Sequence, residues 1–393
     1  MSDNADPLGE ERLSGAAAAD VRTVARAGAV QIAGQFSQRG FAFIFTAVAV
    51  RILGPSGYGL YRQVSQVLTI AGQVGLAGFN YAAMRFITRA RASGDHGGVR
   101  AAAQVGSAGA ALASTLAVVV LVATADPLAS LFADEPADAG EIARLLRLGV
   151  LFVPLFALMQ VLRYCTQAYK TMVPSVVVGN IVQPIARFAL GVGALLAGFA
   201  IAGAITTLVA SEAIGALAGA LAYRRMLTTE ERGAVGERRV GPMVRFALPQ
   251  AGASLLGIQT LGLGIVLLGI YSGNAQVGLF GIALSLQGPG TIFLGGIVNI
   301  WAPVVSDLHE RGEIDRLGAL YQTINRWIAT FSFPVFVALI LEADLFVKLF
   351  AGAEGAGAVP VVAVLAAGNL FYTGTGPTGY VLSMTGRPGL NFL

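Results

Sequence analysis

Charge is scarce in this chain of 393 residues, where Asp, Glu, Lys and Arg together make up 12%. A soluble surface typically carries about 25% of such residues, so half of the usual solvating layer is missing. Cysteine occurs once, at Cys165, which excludes a disulfide framework and a thiolate metal site. The two histidines, His96 and His309, sit in separate charged loops, so no metal centre and no cofactor are expected. Lysine appears only at Lys170 and Lys348, leaving arginine to carry nearly all the positive charge. No phosphate-cradling glycine loop, nucleophile elbow or carboxylate pair set for glycoside chemistry is present. The chain is therefore not expected to be an enzyme, and no catalytic residue is assigned.

What is present is apolar. Hydrophobic residues make up 55% of the chain, mean hydropathy is +0.70, and there are 51 glycines. Apolar runs of about twenty residues recur from end to end, the mark of membrane-spanning helices, and glycine suits close helix packing in lipid. The fold class expected is an all-α polytopic membrane protein. Ten spans are expected, near residues 27–52, 57–80, 101–123, 147–167, 174–198, 201–222, 244–270, 275–302, 320–341 and 358–384. Residues 1–22 are polar, Ala-rich and without an apolar h-region, which predicts a disordered cytoplasmic tail and not a cleaved signal.

A sequence pI of 9.4 suggests nucleic acid in a soluble protein, but here topology explains it better. One loop carries Arg85, Arg89, Arg91 and Arg100 against Asp95. The next carries Asp126, Asp134, Glu135, Asp138 and Glu141. Arg163 and Lys170 mark the following turn, and the turn at Phe199 is uncharged. Residues 224–245 are again arginine-rich, and the loop at Ser272, Gly273 and Asn274 has no charge. This alternation places the amino terminus in the cytoplasm, with Arg51 and Arg62 as exceptions beside the first outer turn. The expected location is the cytoplasmic (inner or plasma) membrane, multi-pass.

Residues 223–241 form the longest cytoplasmic connection, dividing an N-terminal six-helix bundle (23–222) from a C-terminal bundle (242–393). The second bundle holds about four spans and looks incomplete beside the first. Gly59, Leu60 and Tyr61 are echoed by Gly278, Leu279 and Phe280, and Asn80 by Asn299, at one shared offset. Six spans per half predict parallel repeats about an axis along the membrane normal.

Polar stripes inside the spans supply the candidate site. Arg39 shares roughly one helical face with Gln31, Gln35 and Gln38. A charge at mid-membrane costs ~2.5–3.5 kcal/mol on insertion scales, so Arg39 must face protein or a wet cavity. It is either buried and satisfied by the glutamines or set to hold an anion. Arg62, Gln66 and Gln73 share a face of the second span; Gln160, Arg163, Tyr164 and Gln167 one of the fourth; Asn180, Gln183 and Arg187 one of the fifth. Gln250 follows Pro249 in the seventh, and Gln287, Gly288, Pro289 and Gly290 predict a broken eighth helix. So many stripes point to a central hydrated cavity, with Arg85 at its cytoplasmic rim.

Glu212 is the carboxylate placed deep in a span. It is expected either to pair with Arg187 or to couple movement to a proton gradient. Residues 139–150 form an amphipathic stretch at the outer interface. Tyr58, Tyr61, Tyr81, Trp301 and Trp327 are expected to be interfacial anchors.

The segment LGPSGYGLY (residues 53–61), then AAMRF (82–86) and the closing LSMTGRPGLN (382–391), resemble the polysaccharide-exporter branch of the MOP superfamily, which includes Wzx-type oligosaccharide flippases. The resemblance implies two six-helix bundles around a central cavity, MATE-like, and twelve or more spans. It implies a flippase moving undecaprenyl-diphosphate-linked oligosaccharide, a polysaccharide or lipopolysaccharide precursor, by alternating access. The partners implied are that diphosphate-linked lipid carrier, the bilayer and polysaccharide polymerase or glycosyltransferase machinery, with no nucleic acid. Arg39, with Arg62 or Arg85, would hold the phosphates while the halves rock about the 223–241 link. The alternatives are a lipid II-type flippase, a MATE-type drug or cation transporter, and a non-transporting scaffold of an envelope-polysaccharide assembly complex.

Overall fold

The computed structural model describes residues 7–256, 262–310, 312–378 and 381, and among these the regular structure is entirely helical. The first helix, α1 (Pro7–Leu76), folds back on itself at Gly54, whose φ of 69° and ψ of 172° break the helical path. The sequence Leu-Gly-Pro-Ser-Gly dictates this turn. Glycine tolerates the left-handed φ, and Pro55 restarts the second arm with its preset φ. The tail expected over residues 1–22 is instead helical from Pro7 on, consistent with the helix-favouring alanines 16–19.

The first bundle continues through α2 (Phe79–Ala92), α3 (His96–Ala123), α4 (Ala125–Phe132), α5 (Ala139–Gly149) and α6 (Phe152–Gln167). Then come α7 (Val173–Val176), α8 (Gln183–Leu196), α9 (Ala200–Met226) and the short α10 (Thr229–Gly233). The second bundle comprises α11 (Val240–Leu256), α12 (Leu263–Ser272), α13 (Asn274–Glu310), α14 (Ile314–Leu341), α15 (Ala343–Ala351) and α16 (Val359–Thr375). Seven segments among the described residues are long and apolar enough to cross a membrane, and the first of these, Ala33–Ala92, covers most of the first expected span and all of the second. Leu112 and Leu116, one turn apart on α3, are strongly exposed, as a lipid-facing stripe would be. The chain is a multi-pass membrane protein. The closing motif at 382–391 and the side chains of Asn299 and Trp301 lie outside the described residues.

The halves meet chiefly through α1 and α13, and the meeting is reciprocal. A Cβ added at Gly59 would overlap the Asn274 carbonyl, and one at Gly278 would overlap the Pro55 carbonyl. Gly54 and Gly273 share the same backbone conformation (φ 69° and 83°, both with ψ 172°). The pairs Gly54/Gly273, Pro55/Asn274 and Gly59/Gly278 share one offset along the chain, so the internal echo is a pseudo-twofold axis passing between Gly59 and Gly278. Only glycine permits backbone-to-backbone approach there.

Two polar ties reinforce this end, which also carries Asp126 and Asp134. The Asn274 backbone N–H donates to Asp134 Oδ1 at 3.1 Å, satisfying an open donor at the start of α13. Arg51 donates to the carbonyls of Leu349 and Phe350 at the end of α15. The expected break in the eighth span does not occur, and α13 stays helical through Pro289. Neighbouring groups take up the local polar atoms: Ser332 donates to Gly290 O at 2.7 Å and Gln287 to Val362 O at 3.2 Å.

At the opposite, basic end the 223–241 link is fastened to the first bundle, not free to act as a hinge. Thr228 and Glu231 form a reciprocal capping box, and Glu231 also accepts from Arg91 at 3.2 Å and from the Tyr169 hydroxyl at 2.8 Å. Arg100 donates to Arg232 O at 2.9 Å. Any pivot between the bundles therefore falls after the link. Burial works against the Glu231 charge, but the Thr228 N–H, the Tyr169 hydroxyl and Arg91 hold its carboxyl below the ordinary range. A group depressed in the folded state stabilises above its unfolded pKa and loses that contribution as pH falls through the folded value. Proteolysis of the link should thus stay flat from about pH 8 to about pH 5 and rise below about pH 4. Glu231→Gln should raise cleavage already at neutral pH, and equal cleavage of both proteins would mean the latch is inert.

Candidate functional site

The fold-back at Gly54 decides which polar stripes can meet. It lays the second arm of α1 against the first, setting Tyr58, Tyr61 and Arg62 opposite Gln38, Phe41 and Thr46. The third wall is α8, presenting Gln183, Arg187 and Phe188. Together they enclose a cavity of about 140 Å³ within the first bundle. A π-helical turn (Val177–Val182) leads into α8. Such turns insert an extra residue and re-aim the side chains that follow.

Two guanidinium groups line the cavity, and among the described residues no carboxylate does. Arg187 Nη2 donates to the Tyr61 hydroxyl at 2.8 Å. Arg62 Nε is buried and has no hydrogen-bond partner among the described residues. The Tyr58 and Thr46 hydroxyls share a hydrogen bond at 3.1 Å on the same wall. Behind it, Asn180 donates to Gln38 Oε1 at 2.8 Å and accepts from Arg163 at 3.4 Å. Arg163 also donates to Ser175 O at 3.1 Å and Gln160 Oε1 at 2.9 Å, three bonds that make it a framework residue. Guanidinium groups in a partly apolar cavity favour a phosphate or carboxylate, which they can bind through charge-assisted, bidentate contacts.

The expected Arg187–Glu212 ion pair is absent. Tyr61 takes the Arg187 donor, while Gln183 donates to Glu212 Oε1 at 2.8 Å. Glu212 is 4% exposed, and its Oε2 has no partner among the described residues. It stands behind the cavity wall, one hydrogen bond from the cavity through Gln183.

Of the candidates from the sequence, Gln38, Arg62, Gln183 and Arg187 line the cavity, and Asn180 and Glu212 stand directly behind it. Arg39 does not. It donates to Thr291 of α13 at 3.0 Å, tying the bundles together. Gln35 lies on the same face, near Gly295, and Gln31 lies further back on α1, outside the cavity lining. Gln66 packs against Gly262. Arg85 and Gln250 belong to a separate pocket at the basic end. Tyr58 and Tyr61 were expected at the interface, but each is 1% exposed and built into the cavity wall. Their position near span ends concealed this. The signal that reveals them is the LGPSG turn, which pairs the residues on either side of it. Trp327 is exposed, and Tyr81 packs edge-on against Tyr164 at 5.0 Å.

Comparison with known proteins follows the same lines. A family model described as "Polysaccharide biosynthesis protein" matches residues 24–309. The teichuronic acid biosynthesis protein TuaB of Bacillus subtilis is 27% identical over 129 residues, covering 33% of this chain and 26% of TuaB. That match spans about a quarter of its relative's length. Among solved structures, an inward-facing multidrug resistance MATE family transporter of the MOP superfamily superposes with a TM-score of 0.70 at 14% identity, covering 93% of this chain and 86% of that one. A MOP superfamily transporter from Pyrococcus furiosus gives 0.58 at 17% identity, covering 94% and 83%. At such identities the likeness is one of fold, the MATE-like helical architecture.

Proposed function

The chain belongs to the polysaccharide biosynthesis protein family, and from that premise we propose that it is a membrane exporter of undecaprenyl-diphosphate-linked oligosaccharide, a polysaccharide or lipopolysaccharide precursor, across the cytoplasmic membrane. The observation that carries this reading is the cavity with Arg62 and Arg187 in its wall and no carboxylate beside them. A diphosphate is the group such a pair favours. Gln38 and Gln183 offer amides to sugar hydroxyls, the phenylalanines offer apolar contact, and the prenyl tail stays in lipid.

In this reading the basic end faces the cytoplasm, in keeping with the arginine-rich loops. The halves, closed at the acidic end by the Gly59–Gly278 contact, admit substrate from the basic end. Parting of that contact, with loss of the Asp134 and Arg51 ties, opens the other face. Glu212 is in place to sense a proton, because a change in its charge would reach the cavity through Gln183.

A cation exporter would need a carboxylate in the cavity wall, and none lines it, so the cation-transporter reading is disfavoured. Uptake into proteoliposomes separates the two. A fluorescent diphosphate-linked lipid oligosaccharide should cross the membrane while a lipophilic cationic dye does not. Transport of the dye alone would overturn the reading.

A further inference from the structure

A second cationic site lies at the basic end, remote from the cavity. Arg85 and Arg89 of α2, Lys170 after α6, and Phe246 of α11 line a pocket of about 550 Å³. An adjoining pocket of about 300 Å³ shares Arg85, Arg89 and Phe246 and adds Arg245. None of the four cations makes an ion pair among the described residues. The carboxylates of this end are engaged elsewhere: Glu231 by Arg91, Glu230 by His96, Glu237 by Arg239, and Asp95 by the Gly98 N–H at the start of α3.

Arginines in a cytoplasmic loop ordinarily form a solvated face. Here they converge on one concavity, and Arg85 is held with its guanidinium 4.4 Å from the Phe246 ring centroid. Stacking of this kind orients the planar group and leaves its N–H edge free to donate. Gln167 adds an amide to the same wall. The walls come from both bundles, α2 and the α6 turn on one side and α11 on the other.

We infer that this pocket binds the phosphate of an anionic lipid headgroup at the membrane surface and bridges the two bundles when occupied. Basic pockets between helices on the cytoplasmic side suit such headgroups. The phosphate can come from a bulk phospholipid or from a polyprenyl diphosphate on its way to the cavity. The inference rests on the cytoplasmic orientation of the basic end in that reading, and not on what the cavity carries.

Native mass spectrometry of the full chain in detergent tests it, with phosphatidylglycerol against phosphatidylcholine of equal chain length. The wild type should retain the anionic lipid selectively. The Arg85→Gln/Arg89→Gln/Lys170→Gln/Arg245→Gln variant should lose that selectivity, by about fivefold per charge removed. In a spectrometry-independent arm, about 1 M salt should abolish binding of labelled phosphatidylglycerol to the unaltered protein, because the screening length falls to about 3 Å. Arg62→Gln/Arg187→Gln should retain the lipid as the wild type does. Displacement of phosphatidylglycerol by undecaprenyl diphosphate at equal concentration would assign the pocket to the carrier's phosphate. Persistence of the phospholipid would assign it to the bulk lipid. Undiminished selectivity in the quadruple variant, or no anionic preference in the wild type, overturns the inference.

Discussion

Replacing Gly278 with leucine is expected to give a protein that inserts into the membrane but neither closes at its acidic end nor transports. The side chain would start where the Pro55 carbonyl now lies, and Pro55 Cα and C are only 3.1 and 2.7 Å from that point. These are backbone atoms just after the Gly54 turn, with no flexible side chain to swing aside. Overpacking a well-filled site typically costs ~1–3 kcal/mol, and here relief requires the bundles to part. Parting them breaks the Asn274–Asp134 and Arg51–Leu349 bonds on the same face. The melting temperature in detergent should fall by several degrees and transport should be lost. Gly59→Leu should do the same, because Asn274 O stands in the reciprocal position. Gly368→Ala is the control: nothing among the described residues lies within 4 Å of its Cβ position, and an alanine inside a helix is ~0.5–1 kcal/mol better than glycine. Equal melting and transport in Gly278→Leu and wild type would refute the axis contact as a closing element.

Arg187→Gln should separate function from stability. A hydrogen bond to a charged group is worth ~1.5–3 kcal/mol, so diphosphate-lipid binding should weaken about 10- to 100-fold. Stability should change little, because the hydrogen bond lost is a single one, to the neutral Tyr61 hydroxyl. Arg163→Gln makes the opposite case. It deletes donors to Ser175 O, Gln160 and Asn180, so the melting temperature should drop. The two arginines look alike in the sequence, each in a stripe with glutamines. Scanning melts of both variants alongside lipid binding would tell them apart, and a destabilised Arg187→Gln with full binding would make Arg187 the framework residue.

That pair illustrates how far the chain can be read before its fold is known. Span content, the all-helical class and the internal echo follow from apolar runs and local turn chemistry, which act over a few residues. The Gly54 turn is equally local, and it brings Arg62 over Gln38. What stays hidden is which face of a helix meets the other bundle. Arg39 and Gln38 are adjacent in sequence, yet Arg39 reaches Thr291 across the interface while Gln38 turns to the cavity and Asn180. Helical periodicity places both on one broad stripe and cannot divide it. Arg187 and Glu212 lie on neighbouring helices, but their hydrogen bonds go to Tyr61 and Gln183 instead of to each other, which pairwise depth counting does not register. Pro289 reads as a helix breaker, yet the chain stays helical there, packed against α14 and α16 through Ser332–Gly290 and Gln287–Val362 bonds.

The most direct test of the central claim is translocation of a fluorescent diphosphate-linked lipid oligosaccharide in proteoliposomes, comparing wild type, Arg62→Gln/Arg187→Gln and Arg39→Gln at matched folded yield. The cavity account predicts transport by the wild type, loss in the double variant with unchanged melting, and retained transport in any Arg39→Gln protein that folds. Full transport by the double variant, with loss confined to Arg39→Gln, would contradict it and move the anion site to the interface between the bundles.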